Sequence, residues 1–290
     1  MRRPAVATSV FRVLGLGALA LGCAVETATD AETAKNVTHA IVVIERSAGV
    51  EAPESVKAEA FAGFLSLPAD LEPGAVLPIA ELALDLPAPG ACRKVERDRP
   101  AAPDEALAQS ELLDAGEVTL VAGGTVTTLA PRAFPSAADA ISGVVYTTRN
   151  RAAEPLPAAS RYTVATSGSA ALEPISVELL APAALEGVTV MGTAFAELAP
   201  VRAARPVELR WNAGAAGDLV YVSLESDSAS TLCAYRDDAG QGTLPGSSVP
   251  SPGTATLSLH RLRATPFTSS GLGRGELRFD FEVSGSVTVE

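Results

Sequence analysis

The sequence predicts an all-β protein built from two β-sandwich-like domains, the second of them immunoglobulin-like. Polar and apolar residues alternate with a period of two from residue 37 onward, and turn-forming residues divide the chain into short segments. Such alternation is typical of antiparallel strands with one side on a core and the other in water. Hydrophobic residues make up 47% of the chain, which is enough for packed cores. A single short helix is predicted, over residues 103–113.

The clearest predicted strand covers residues 276–284. Its apolar and charged residues occupy opposite sides, with Leu277, Phe279, Phe281 and Val283 against Glu276, Arg278, Asp280 and Glu282. Residues 255–260 repeat this alternation. His260 falls on their polar side with Thr256 and Ser258, so it is predicted to face solvent.

The C-terminal domain is predicted over residues 184–290. Its expected strands are residues 188–195, 207–211, 219–224, 231–235, 255–260 and 276–284. A module of roughly 100 residues with strands at this spacing is typical of an immunoglobulin-like sandwich. Trp211 continues the apolar side of its strand, which favours a place in the core over stacking on a sugar or peptide.

The N-terminal domain is predicted over residues 37–183 and has less regular strands. They are expected at residues 38–44, 59–67, 79–86, 117–121, 125–129, 141–147, 162–165 and 175–180. Gly123 and Gly124 tolerate positive φ and are expected to form a hairpin turn. The domain boundary is placed near residues 181–185, with the proline-rich residues 200–206 as an alternative linker.

The start of the chain carries the features of an export signal. Arg2, Arg3 and Arg12 precede an apolar run over residues 13–22. That run is far shorter than the roughly 20 residues that a membrane-spanning helix needs. Residues 1–22 are therefore predicted to be a signal peptide rather than a membrane span.

The end of this signal resembles the lipobox of bacterial lipoproteins. The sequence reads Leu-Ala-Leu-Gly-Cys23, with Ala20 where leucine is commoner in that family. The resemblance implies that Cys23 is lipidated and becomes the mature N-terminus. An ordinary signal peptide cut near Ala24 is the alternative.

The lipid would make the membrane contact. Two or more acyl chains anchor a protein stably, whereas one chain binds only marginally. Residues 23–36 have short side chains and charges without apolar periodicity, so they are predicted to form a flexible tether. The resemblance also implies the outer membrane, because Ala24 stands where an aspartate would favour inner-membrane retention in enterobacterial lipoproteins.

The charge balance argues against nucleic acid as a partner. The formal net charge is −12, and removal of residues 1–22, which hold three arginines and no acid, makes it −15. A strongly acidic protein repels phosphate backbones and anionic lipid surfaces. Any protein contact with the membrane is therefore expected through the N-terminal lipid.

Two cysteines remain once Cys23 is lipidated. In an oxidising compartment, an even pair such as Cys92 and Cys233 could form a disulfide. Buried free thiols are the alternative, because cysteine is among the most buried residue types. The bond would have to join the two predicted domains, so two inert thiols are slightly favoured.

Few residues are suited to catalysis. His39 and His260 are the only histidines, and neither accompanies a Gly-x-Ser-x-Gly motif or an evident acidic partner. The isolated histidines and cysteines lack the spacing of a zinc site. Asp237 and Asp238 precede Gly240 in what is expected to be a tight turn rather than a calcium loop. We therefore predict no enzyme activity, no metal and no cofactor.

The order of motifs in the two halves is similar to that of two-part β lipoproteins from myxobacteria-like species. The residues concerned are Leu-Arg-Trp211, Leu-Cys233, Asp237-Asp238-Ala-Gly240, Leu-Asp-Ala-Gly-Glu-Val-Thr-Leu120 and Tyr-Thr-Val-Ala165. That resemblance brings no known activity with it.

The expected function is a non-catalytic envelope lipoprotein that presents β domains to a protein partner or has a structural role. A glycan or envelope-polymer binding module is the alternative, and a carboxylate-based hydrolase is a more remote one.

Overall fold

The all-β prediction is confirmed. The computed structural model describes residues 36–69, 84–95, 110–134, 143–148, 156–198, 200–227 and 229–290, and these contain seventeen strands and no α-helix. Contacts group Ala34–Glu290 into one compact unit. The predicted signal peptide, Cys23 and nearly all of the predicted tether lie outside the described residues.

The strands form one large and one small sheet. The bounds in the first half of the chain are β1 (Val37–Gly49), β2 (Ala52–Leu67), β3 (Cys92–Val95), β4 (Glu111–Leu112), β5 (Val118–Ala122), β6 (Thr125–Phe134), β7 (Gly143–Thr147), β8 (Arg161–Thr166) and β9 (Ser176–Leu180). Those in the second half are β10 (Thr189–Val190), β11 (Thr193–Ala194), β12 (Val207–Arg210), β13 (Leu219–Ser226), β14 (Ser230–Arg236), β15 (Gln241–Leu244), β16 (Gly253–Ser269) and β17 (Leu272–Val289). The thirteen-stranded sheet runs β3-β14-β13-β16-β17-β1-β2-β4-β7-β6-β5-β8-β9, and the four-stranded sheet runs β11-β10-β12-β15. This architecture is β-sandwich-like, and the immunoglobulin-like detail stays a prediction.

The first and last long strands of the chain are neighbours in the middle of the large sheet. β1 pairs in parallel with β17, from His39 opposite Arg274 to Gly49 opposite Ser284. On its other side β1 pairs antiparallel with β2. β16 and β17 form a long hairpin whose turn contains Gly271, at a φ of 71° that favours glycine.

Two larger hydrophobic cores and a small third cluster around Tyr221, Ala234 and Leu262 form in the described residues. One core draws most of its residues from 40–181, and the other draws most from 185–259. β17 serves both, because Phe279 and Phe281 belong to the first and Val287 and Val289 to the second. Residues 37–183 and 184–290 therefore contribute strands to one continuous sheet, and their division into two domains stays a prediction.

Three predicted elements differ from the structure. The described end of the predicted helix 103–113 contains the short strand β4, which pairs with β2. In the predicted strand 79–86, residues 84–86 have no regular structure. The predicted strand 188–195 consists of β10 and β11 around a turn at Met191 and Gly192, followed by a 3-10 turn. The rest of the first two elements lies outside the described residues.

Cys92 and Cys233 form a disulfide, so the slight preference for free thiols was wrong. The two residues are directly opposite each other where β3 pairs with β14, and their Cα atoms are 4.0 Å apart. Their 141-residue separation suggested two domains, but β3 leaves the first half of the chain and joins the sheet beside strands of the second half. The bond fixes this edge of the large sheet.

Reduction of the Cys92–Cys233 bond should lower the free energy of unfolding by about 2–4 kcal/mol, because the reduced unfolded chain regains the entropy of an open loop. Urea unfolding with and without dithiothreitol measures the change. A variant with both cysteines replaced by alanine is the control and should not respond to reductant. Equal midpoints for the oxidised and reduced wild type would contradict a stabilising role for the bond.

Candidate functional site

The most concentrated group of ionisable residues lies on the face of the large sheet opposite the two cores. The pairing register carries one row of side chains across five neighbouring strands, namely Tyr221, His260, Glu282, Ser47 and Lys57 on β13, β16, β17, β1 and β2. Side chains alternate between the faces of a strand, so residues two positions away lie on this face too. The adjoining row therefore contains Asp280, Glu45 and Glu59.

These two rows line a cleft of about 300 Å³, which we name the charged cleft. Its charged and polar lining residues are Glu45, Arg46, Ser47, Lys57, Glu59, Tyr221, His260, Asp280 and Glu282. Glu45 and Lys57 are exposed at its rim. The side chains of His260 and Asp280 are only 16% and 13% exposed, so they form the floor.

Asp280 joins two strands through its carboxylate. One oxygen, Oδ1, lies 2.9 Å from Nδ1 of His260, and the hydroxyl of Tyr221 donates a hydrogen bond to Oδ2. The tyrosine and imidazole rings stack with centroids 4.2 Å apart and an angle of 12° between their planes. One hydrogen bond to Asp280 and the ring stack on Tyr221 hold His260 in one orientation, and Tyr221 in turn fixes Asp280.

The surroundings of His260 favour its protonated form. Burial alone disfavours the charged imidazolium, but the hydrogen bond to Asp280 and the negative charges of Asp280, Glu282 and Glu45 outweigh it. The pKa of His260 is raised above its ordinary value as a result. Burial and the same carboxylate of Asp280 raise the pKa of Tyr221 well above its usual range, so its hydroxyl remains a donor.

The prediction that His260 faces solvent was wrong. Its own strand puts it on the polar side with Ser258, as predicted, but Tyr221 covers that side from the neighbouring strand. The prediction that no acidic partner accompanies a histidine was wrong for His260 as well. Asp280 lies on the polar side of the clearest predicted strand, and only the β16–β17 hairpin register brings the two together.

His260 should make stability depend on pH. A histidine whose pKa is higher in the folded chain stabilises the fold fully below its unfolded pKa, and this contribution is lost as pH rises through the folded value. The stability advantage of wild type over His260→Gln should therefore be largest below about pH 6.5 and should shrink as pH rises through the higher folded pKa. Urea midpoints across this range measure it.

Asp280→Asn provides the matched control for the pH experiment. This variant keeps the shape of the side chain but removes the charge that contributes most to raising the pKa of His260. The pH dependence assigned to His260 should become weaker in it. An advantage of wild type over His260→Gln that grew with rising pH would contradict this assignment.

The charged cleft can hold and position a proton, but it places no nucleophile beside the imidazole. Ser47 is the hydroxyl-bearing residue of its lining other than Tyr221. It lies on β1, two strands from His260, and therefore about 10 Å away. Glu45 and Glu59 are direct cross-strand partners, an arrangement that places Cβ atoms roughly 5 Å apart.

The remaining predicted residues have structural surroundings. Trp211 is buried in the second core, which confirms its predicted place. His39 is half-buried on β1, as predicted. Asp237 and Asp238 form a 3-10 turn that ends at Gly240, in agreement with the predicted tight turn.

A buried ion pair lies on the core face. Nε of Arg261 is 2.8 Å from Oδ2 of Asp237, and the carboxylate of Asp237 is fully buried. Arg261 also donates to the carbonyl oxygens of Asn212, Ala183 and Ala184. The guanidinium thereby fastens the segment where the chain passes from the first core to the second. The sequence offered no sign of this pair, because arginine in an alternating strand normally indicates a solvent-facing side.

Within the described residues, no cluster of three or more histidine, cysteine, aspartate or glutamate side chains has the arrangement of a metal site. The same part of the chain contains no helix long and apolar enough to span a membrane.

The chain matches no known protein-family model, and a comparison with curated proteins found no significant relative.

Proposed function

We propose that this chain is a lipoprotein of the bacterial cell envelope, anchored through lipidated Cys23, whose all-β body binds a protein partner without catalysing a reaction. The lipobox resemblance supports the anchor and the outer membrane. The binding surface is the charged cleft, where side chains from five paired strands have fixed positions.

The burial of the large polar aromatics is the observation that favours a protein partner over a glycan. Sugar-binding surfaces commonly present tyrosine or tryptophan rings for stacking. The one tryptophan and all four tyrosines of this chain are buried, namely Trp211, Tyr146, Tyr162, Tyr221 and Tyr235. The groups that the charged cleft offers to a partner are carboxylates, a lysine, an arginine and an imidazole.

The charges of the cleft favour a basic partner surface. Four carboxylates, those of Glu45, Glu59, Asp280 and Glu282, outnumber the three cations Arg46, Lys57 and protonated His260. Complementary charge steers encounter and penalises wrong partners. A basic protein segment therefore fits this cleft better than an acidic or neutral polymer does.

Photocrosslinking in intact cells tests the proposal. A photoreactive residue is placed at Lys57 in the cleft or, as a control, at Lys94 on β3, both of which are exposed. A discrete protein adduct should form from position 57 and not from position 94, and Glu45→Gln with Glu59→Gln should reduce it. Polysaccharide adducts from position 57 would instead favour the glycan alternative, and equal capture at both positions would contradict a cleft-specific partner.

A carboxylate-based hydrolase is the second candidate, and the pairing of Glu45 with Glu59 favours it. The purified protein is assayed on glycoside, ester and peptide panels, with no turnover expected. Turnover that Glu59→Gln abolishes without loss of folding would establish the hydrolase. Turnover lost only in His260→Ala would make the imidazole the base, and unchanged turnover in both variants would indicate a contaminant.

The anchor has its own test. Cys23→Ser should abolish labelling with radioactive palmitate and leave an uncleaved precursor, because lipidation requires the thiol. Processing and membrane retention of the variant would contradict the lipoprotein assignment.

A further inference from the structure

An apolar groove lies against the core face of the large sheet and shares Arg46, Ser47 and Glu282 with the lining of the charged cleft. It has a volume of about 460 Å³, toward the smaller end of the range for ligand pockets. The end of the β1–β2 hairpin forms one wall and residues 184–196 form the other. Its larger apolar side chains are Val50, Val56, Leu185, Val188, Phe195 and Val283. The groove is therefore suited to an apolar chain.

One cation, Arg46, lines this groove. It is opposite Phe281 in the β1–β17 register, and its guanidinium carbon lies 5.3 Å from the centroid of that ring. Arg46 is half-buried, and no carboxylate of the described residues forms an ion pair with it. Arginine removed from water is normally paired. Burial lowers the pKa of Arg46, because removal from water disfavours the charged guanidinium.

Two acids border the groove and do not neutralise Arg46. The side chain of Glu282 belongs to the opposite face, because Glu282 is in register with His260. Glu186 is exposed at the rim of the groove. The positive charge of Arg46 is thus available to an anion that enters the groove.

We propose that this groove binds a single-chain carboxylate amphiphile of the fatty-acid class, with its carboxylate at Arg46 and its acyl chain against the apolar walls. A planar guanidinium matches a carboxylate with two parallel hydrogen bonds. The alkyl chain removes apolar surface from water without needing further polar partners. The small volume favours one acyl chain over a two-chain lipid. Arg46 also lines the charged cleft, but the apolar walls belong to the groove alone, and the proposal does not depend on the proposed function.

Photolabelling of the full-length protein in lipid nanodiscs tests the proposal. The probes are a twelve-carbon acid with a diazirine in its chain, its methyl ester and the matching amine. The acid should label the segments 48–56 and 184–196, and the ester and amine should label them at least about tenfold less. Excess unlabelled dodecanoate should displace the acid. Equal labelling of these segments by all three probes, or labelling spread evenly over the surface, would overturn the proposal.

Three variants locate the site. Arg46→Gln should remove the preference for the acid over the ester. Val56→Glu places a charge at the exposed rim of the groove and should abolish labelling by the acid. Val126→Glu is the matched control, because it adds the same charge at an exposed valine outside the groove lining, and it should label as wild type does. Undiminished labelling of Val56→Glu would overturn the proposal even if Arg46→Gln failed to fold.

Discussion

Replacing Arg261 with methionine should lower the free energy of unfolding by about 3–5 kcal/mol, because it leaves the carboxylate of Asp237 buried without its partner. Methionine fills much of the volume of the arginine stem, so the loss reports chiefly on the charge. The variant also removes the hydrogen bonds that Arg261 donates to the carbonyl oxygens of Ala183 and Ala184. Urea unfolding followed by the fluorescence of Trp211 measures the effect.

Two comparisons isolate the buried pair. Arg236→Met removes an exposed ion pair between the last residue of β14 and Asp238 in the following turn, and it should change stability little. Adding Asp237→Asn to Arg261→Met should restore part of the loss, because the amide carries no uncompensated charge. An Arg261→Met variant as stable as Arg236→Met would show that Asp237 is not held as a buried anion.

Trp211→Ala should cost about 3–5 kcal/mol, as expected when a large aromatic side chain is removed from a packed core. Trp211 is 5% exposed and packs beside Tyr235, with ring centroids 6.1 Å apart. Its Nε1 also donates to Oδ1 of Asp237 at 3.0 Å, so the substitution removes a donor to the buried carboxylate. Circular dichroism during urea unfolding measures the loss, since the variant has no tryptophan fluorescence.

Trp211→Phe separates packing from hydrogen bonding at this position. It retains much of the apolar surface but removes the donor to Asp237, which should cost about 1–3 kcal/mol. The effects of Trp211→Phe and Arg261→Met should not add, because both act on the same carboxylate. A Trp211→Ala variant that unfolds at the wild-type midpoint would place the indole on the surface and revive a ligand-binding role for it.

Local periodicity was sufficient to predict the strands that carry the cores. The alternation over residues 276–284 lies within β17, and Leu277, Phe279 and Phe281 are buried as predicted. Trp211 was placed in the core for the same reason. In these cases the identity of the side chain and its phase along the strand decide its surroundings, and both are present in a short stretch of sequence.

The charged cleft could not be predicted in this way, because it depends on pairing between distant segments. The phase of His260 gives the face of the sheet but not the neighbour that covers it, which is Tyr221. Its partner Asp280 comes within reach only through the hairpin register, which pairs His260 with Glu282 and places Asp280 diagonally across from it. The pairing of β1 with β17 could not be predicted for a similar reason, since the two strands come from opposite sides of the predicted domain boundary.

β1 and β17, the first and last strands of the described residues, pair with each other in the interior of the large sheet. β1 is synthesised before β17, and the edge of β1 that pairs with β17 has no backbone partner until β17 has been synthesised. Contacts between such distant segments carry a large loop-closure entropy, so this pairing should be a late and slow step of folding. Until then the apolar residues 41–44 of β1 are open to pairing with other chains. A chain that ended before residue 272 would lack β17, which is an interior strand of the large sheet and not an edge strand.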